Sequence, residues 1–213
     1  MRKKLVGYYD YTVILTYCGM LFAFDGILKA ISGDYWGTMV CLMIAGVCDM
    51  FDGTVASTKE RTTPEKRFGI QIDSLSDLIS FGVLPGIFLY MISERTLAAA
   101  LISTVFALCA LIRLAYFNVL EEERQKLTTE KRESYLGVPV TTIAILLPAA
   151  YLLYDSQIIK NQIIFSILMI MIAIGFLLPI KVKKPKIIGK ICIIFVGILE
   201  MIGMAFLVLR GAI

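Results

Sequence analysis

The chain has 213 residues, 58% of them hydrophobic, with a mean hydropathy of +0.81 and a formal net charge of +4. Soluble domains are only about half apolar, so this balance excludes a soluble globular enzyme and points to an all-α integral membrane protein. Histidine is absent, which removes every imidazole-based triad, phosphoenzyme and metal scheme and leaves carboxylates as the acid–base and metal groups.

Apolar runs of about 20 residues, enough to cross roughly 30 Å of hydrocarbon, begin with Tyr11–Ile31 and Tyr35–Ala56. The first is too long for the apolar core of a signal peptide, lacks a small-residue cleavage site and carries Asp25, so the chain is expected to keep its N-terminus. A basic loop with Lys59, Arg61, Lys66 and Arg67 follows, then spans at Gly69–Ile92 and Leu97–Val119. The polar segment Glu121–Ser134 reads as a short loop or surface helix. Further spans are predicted at Gly137–Tyr154 and Gln162–Ile180. A tight positive turn over Lys181–Lys186, interrupted by Pro185, leads to an extra C-terminal span, about 187–209. The expectation is one domain over 1–213, a bundle of six to seven transmembrane helices.

The positive charges fix its orientation. Arg2, Lys3 and Lys4, the Lys59–Arg67 group, Arg124, Lys126, Lys131 and Arg132, and Lys181, Lys183, Lys184, Lys186 and Lys190 all fall on one side under seven spans. Lys29, Arg95, Lys160 and Arg210 fall on the other, so the richer side is expected to be cytoplasmic. That topology and attraction to anionic lipid heads account for the net charge without a nucleic-acid partner. Cys18, Cys41, Cys48, Cys109 and Cys192 lie in apolar spans with no C-x-x-C pair, and read as small core residues, with neither disulfide nor zinc site implied.

Four aspartates break the apolar pattern. Asp49 and Asp52 are spaced i,i+3, and Asp73 and Asp77 i,i+4, so on helices each pair projects from one face. An ionised carboxylate at bilayer depth costs roughly 2.5 kcal/mol or more, and such groups normally face a bundle interior and mark function. Four together repel one another unless protons or cations lie between them, and two divalent metals held by facing prongs would serve. Oxygen ligands suit Mg or Mn. The prongs flank the basic loop, which places their polar site toward the cytoplasm. Small residues cluster here as well. Gly53 follows Asp52, and Gly69 lies one turn before Asp73, where a missing side chain serves close helix packing, ligand approach, or both.

As a unit, segment 49–77 reads Asp49-Met50-Phe51-Asp52-Gly53-Thr54-Val55-Ala56, a basic stretch, then Gly69-Ile70-Gln71-Ile72-Asp73-Ser74-Leu75-Ser76-Asp77. It resembles the signature of the CDP-alcohol phosphotransferase family, D-x-x-D-G-x-x-A-R followed by G-x-x-x-D-x-x-x-D. Ser57 stands where the family has arginine, and Lys59 or Arg61 is the candidate to supply that charge. The continuation to Pro85, the stretch Arg113-Leu114-Ala115-Tyr116-Phe117-Asn118 and the stretch Tyr135-Leu136-Gly137-Val138-Pro139 resemble the phosphatidylserine synthase branch. The likeness covers roughly Tyr11 to Pro148.

The resemblance implies displacement of CMP from a CDP-linked lipid, diacyl or archaeal ether, by the hydroxyl of L-serine, with two divalent cations and a homodimeric assembly in the cell membrane. It implies that Asp49, Asp52 and Asp73 hold the metals, that Asp77 completes the set and takes the proton from the attacking hydroxyl, and that Asp52, Gly53, Ala56 and Gly69 contact the CDP-lipid. Arg113, the one arginine within an apolar span, suits bidentate carboxylate or diphosphate capture with Asn118 nearby; a snorkelling arginine is the other reading. Glycerol phosphate or inositol phosphate are alternative acceptors, although a phosphorylated acceptor calls for more arginines near the metals. Intramembrane aspartates also line cation transporters, but those commonly place acids near the midplane in repeated halves, and no second copy of the motif occurs.

Overall fold

The computed structural model describes residues 6–127, 134–183 and 187–209. A 3-10 turn, Tyr11–Val13, is capped by the Asp10 carboxylate and runs into α1, Ile14–Ser32. Gly33, at φ 85°, takes the left-handed conformation that ends α1, and Asp34 caps α2, Tyr35–Ala56, by accepting from the Gly37 amide at 2.8 Å. α1 and α2 form a close hairpin because α1 presents a stripe of small residues. A Cβ on Gly19 would lie 3.2 Å from Cys48 Cβ, and one on Gly26 would lie 2.9 Å from Cys41 Cβ.

α3, Thr63–Asp77, begins six residues before the expected Gly69. Thr62 and Glu65 form a reciprocal capping box and Pro64 occupies the first turn, a local start signal that hydropathy does not register. A π-helical turn, Leu78–Val83, carries α3 into α4, Leu84–Ile92. Pro85 has no amide hydrogen to return to the Phe81 carbonyl, and the wider turn absorbs the mismatch. α5, Leu97–Leu127, outruns its expected end, so the Glu121–Glu123 stretch is helical, with Glu121 and Arg124 paired at 2.6 Å. Gly86 and Ser103 join α4 to α5, the Ser103 hydroxyl donating to the Gly86 carbonyl at 2.7 Å.

α6 is Ile143–Asp155, α7 is Ile163–Leu177 and α8 is Ile187–Leu209. Two short strands, β1 at Ser134–Leu136 and β2 at Lys181–Lys183, pair antiparallel and strap the α5–α6 connection to the α7–α8 connection. The expected basic turn at Lys181–Lys186 is therefore a strand in its described half, a pairing that three residues 45 to 49 positions from their partners do not announce. Of the basic residues that set orientation, Arg2, Lys3, Lys4, Lys131, Arg132, Lys184, Lys186 and Arg210 lie outside the described residues.

Among the described residues, four stretches are long and apolar enough to cross a membrane: Tyr11–Ser32, Tyr35–Ala56, Thr63–Ile92 and Leu97–Arg124. Val140–Asp155 and Ile163–Leu177 are shorter apolar helices, and α8, Ile187–Leu209, runs 23 residues, against the six to seven transmembrane helices expected. Sixteen residues rise only about 24 Å, less than the hydrocarbon thickness, because Gly137, Val138 and Pro139 ahead of α6 and Leu178, Pro179 and Ile180 after α7 count toward apolar runs in sequence but lie outside the helices. An aromatic cluster ties the bundle at one end: Tyr35 and Trp36 of α2, Phe88 of α4, Tyr151 of α6 and Phe165 of α7 meet edge to face at 5.3–6.4 Å between ring centres. The aspartates lie toward the other end.

Candidate active site

Asp49 and Asp52 project from the last two turns of α2, and Asp73 and Asp77 from the last two turns of α3. The prongs face each other, Asp73 beside Asp52 and Asp77 beside Asp49. One oxygen from each of Asp49, Asp52 and Asp73 falls within 4.8 Å of the other two. Asp77 stands outside that trio but lines the same cleft, together with Thr16, Ser76, Ser80 and Phe81. The cleft between the carboxylates is narrow, with space on the scale of bare ions and not of an organic ligand.

Neighbouring helices hold the prongs in place. Thr16 of α1 donates its hydroxyl to Asp52 Oδ2 at 3.2 Å, and its carbonyl accepts from Ser76 Oγ at 3.3 Å. Ser74 Oγ donates to Asn118 Oδ1 of α5 at 2.9 Å, which brings Asn118 against α3. Asp52 is 8% exposed, and Asp73 Oδ1 is buried with no hydrogen-bond partner. A buried carboxylate oxygen left orphaned beside two other carboxylates is a cost that a bound cation removes. The residues present therefore fit a divalent metal.

The flanking loop separates the two candidate cations. Lys59 Nζ lies 2.7 Å from Asp10 Oδ2 and 3.9 Å from Glu65 Oε1, and its hydrogen bond holds the Asp10 carboxyl down at about 2, with help from the Thr12 hydroxyl and amide. Arg61 instead reaches over Gly69, its Nη1 only 2.8 Å from where a Cβ there would stand. Around Gly53 nothing comes within 4 Å of an added Cβ, so that side of α2 is open; Ala56 is half-buried at the helix end.

Arg113 is 7% exposed, which rules out a snorkelling side chain. It is not among the residues that line the aspartate cleft. Its Nε donates to the Val138 carbonyl at 3.2 Å, and its guanidinium lies 5.3 Å from the centre of the Phe117 ring. Sequence reasoning missed Asp10 and Thr16. Asp10, directly before the first apolar run, carried a helix-start signal; Thr16 carried none, because its partner lies 36 residues away.

The profile of the CDP-alcohol phosphatidyltransferase family matches residues 11–209. The chain belongs to this family. Among curated relatives of this CDP-alcohol phosphatidyltransferase, the CDP-diacylglycerol--serine O-phosphatidyltransferase of Methanocaldococcus jannaschii is 32% identical over 192 residues, 90% of this chain and 80% of that protein. The archaetidylserine synthase of Methanothermobacter thermautotrophicus is 28% identical over 189 residues, covering 88% and 74%. The Saccharomyces cerevisiae CDP-diacylglycerol--serine O-phosphatidyltransferase is 37% identical over 122 residues, 56% of this chain and 43% of the yeast protein, so the match spans less than half of that relative. No solved structure matches the chain. The family works with divalent metals, and the acidic trio is the cluster that could hold them among the described residues of this transferase.

Proposed function

We propose that this chain transfers a phosphatidyl-type group from a CDP-linked lipid, CDP-diacylglycerol or an archaeal ether equivalent, to the hydroxyl of L-serine, releasing CMP. The observation that carries this reading is the convergence of Asp49, Asp52 and Asp73 oxygens within 4.8 Å, in a chain the family profile matches almost end to end. Serine is supported as acceptor because each relative described above names it.

In this reading Asp49, Asp52 and Asp73 hold two divalent cations, Mg or Mn, with Asp77 completing the set. Bound there, the cations would neutralise the diphosphate and steady the departing CMP. The CDP head lies at the cleft mouth along Asp52, Gly53, Ala56 and Gly69, where the open flank of Gly53 leaves room for it. Arg61 supplies the cation that the family places at the position of Ser57, because Lys59 is already engaged by Asp10 and Glu65. Asn118 braces α3 through Ser74. Asp77 takes the proton of the serine hydroxyl as its oxygen bonds to the lipid-side phosphorus and the bond to the CMP oxygen breaks; a proton that moves as the bond forms needs only a modest base. The lipid chains stay in the bilayer, the cleft faces the cytoplasm on the basic side, and two copies pack through their membrane helices.

An acceptor panel tests this. Purified protein with labelled CDP-diacylglycerol or its ether analogue, Mn or Mg, and serine, glycerol phosphate or inositol phosphate should release CMP and form lipid product with serine. Product only with a phosphorylated acceptor would reassign the acceptor. No CMP release with any acceptor would reject the transferase reading.

A further inference from the structure

We infer that the turn before α1 is a positioning device for the aspartate cleft, in which a latch between Asp10 and Lys59 sets the place of Thr16, and Thr16 sets the orientation of Asp52. The inference rests on the reading that Asp49, Asp52 and Asp73 hold cations.

The linkage is continuous from surface to cleft. Lys59, in the loop between α2 and α3, donates to Asp10 Oδ2 at 2.7 Å, while Asp10 Oδ1 accepts from the Thr12 amide at 2.8 Å and from the Thr12 hydroxyl. One carboxylate thus both holds the loop and caps the turn Tyr11–Val13. Tyr11 adds a second tie, its hydroxyl 3.2 Å from Thr58 Oγ1, and Tyr8 packs on Phe68 of α3 at 5.3 Å between ring centres. Three residues beyond the turn, the 7%-exposed Thr16 directs its hydroxyl to Asp52 Oδ2 and receives Ser76 at its carbonyl. A carboxylate with one oxygen engaged by a neighbouring hydroxyl has a preferred orientation toward a cation, and such outer contacts commonly set metal affinity by about 10- to 100-fold. Thr16, Asp10 and Lys59 are positioning residues here, acting through Asp52.

The test measures Mn2+ binding by electron paramagnetic resonance titration of purified protein without lipid substrate, alongside kcat and KM. Thr16→Val keeps the shape and removes the hydroxyl; it should weaken Mn2+ binding by about 10-fold, and Thr16→Ser should restore it to within about threefold of wild type. Asp10→Asn and Lys59→Met should each weaken it by about two- to fivefold, as a partly exposed ion pair allows. The two together should be no worse than either alone, and the exchanged pair Asp10→Lys with Lys59→Asp should recover part of the loss. Wild-type Mn2+ affinity in Thr16→Val, or equal losses in Thr16→Val and Thr16→Ser, overturns the inference while leaving the metal reading intact. A wild-type protein that binds no Mn2+ overturns both. Unfolding followed by the fluorescence of Trp36, the single tryptophan, separates a misfolded variant from a mispositioned carboxylate; a Thr16→Val protein that unfolds early is replaced by Asp10→Asn, whose unchanged Mn2+ affinity then decides against the latch.

Discussion

Gly69→Ala separates a structural glycine from a functional one. An added Cβ would meet Arg61 Nη1 at 2.8 Å, and among the described residues the other neighbouring atom within 4 Å is Arg61 Cζ at 4.0 Å. Ordinary contact starts at 3.4 Å, so the guanidinium must retreat by roughly 0.6 Å or more, which a flexible side-chain end does at little energetic cost. Within a helix, exchanging glycine for alanine is itself favourable by up to about 1 kcal/mol. Stability should therefore hold or rise. Catalysis should fall, because a displacement approaching 1 Å in a group that positions the reacting phosphates can cost on the order of 100-fold. We expect kcat/KM for the CDP-lipid to drop about 10- to 100-fold, equivalent to about 1.4–2.7 kcal/mol, with an undiminished Trp36-detected unfolding midpoint. CMP release at varied CDP-lipid with saturating serine measures it. The companion is the same substitution in an Arg61→Ala background, where no further loss should appear. A fully active Gly69→Ala enzyme would falsify the placement of Arg61 at the phosphates, and an additive loss in the Arg61→Ala background would assign the effect to direct blockage of the ligand.

Asp77→Asn should abolish turnover, by at least about 100-fold, while leaving CDP-lipid binding near wild type, because Asp77 lies outside the trio of converging oxygens; equilibrium binding of the CDP-lipid beside single-turnover assays checks this, and near-normal turnover removes Asp77 as base. Arg113→Lys should leave the apparent serine affinity within about twofold and lower stability by roughly 1–3 kcal/mol, since the buried guanidinium donates its Nε–H to the Val138 carbonyl and Arg113 does not line the cleft; serine titration and thermal unfolding report the two effects, and a large rise in serine KM at unchanged stability would place Arg113 in the acceptor pocket. The latch should be insensitive to pH across the neutral range. Asp10 is held below its ordinary 3.8, at about 2, so the contribution of its ion pair is complete above about pH 4 and is lost as pH falls from 3.8 toward 2. The difference in stability between wild type and Asp10→Asn should accordingly be flat from pH 8 to about pH 5, and a difference that vanishes near pH 6 would contradict it.

Much of the site was legible in the chain because helical spacing is a local property. Once Tyr35–Ala56 and the segment around Gly69 read as helices, i,i+3 and i,i+4 placed each aspartate pair on one face, and the cost of charge in hydrocarbon required the faces to meet. The resemblance of segment 49–77 then carried the reaction class. The basic loop was visible too, but sequence left Lys59 and Arg61 equivalent, since nothing along the chain tells which of two nearby cations is already paired.

What composition and periodicity determined by themselves was therefore the membrane setting, the helical class, the two carboxylate prongs and the chemistry they suit, all of which depend on residues within a turn or two of each other. The tertiary structure alone decided which side chains share a space: Asp10 with Lys59, Thr16 with Asp52, Ser74 with Asn118, Arg61 over Gly69, and Arg113 against Val138. It also decided that β1 pairs with β2 across two connections, and that Pro85 follows a π-helical turn directly beyond Asp77. Most of these contacts join residues far apart in the chain, and all depend on how the side chains and helices pack, so no local pattern encodes them.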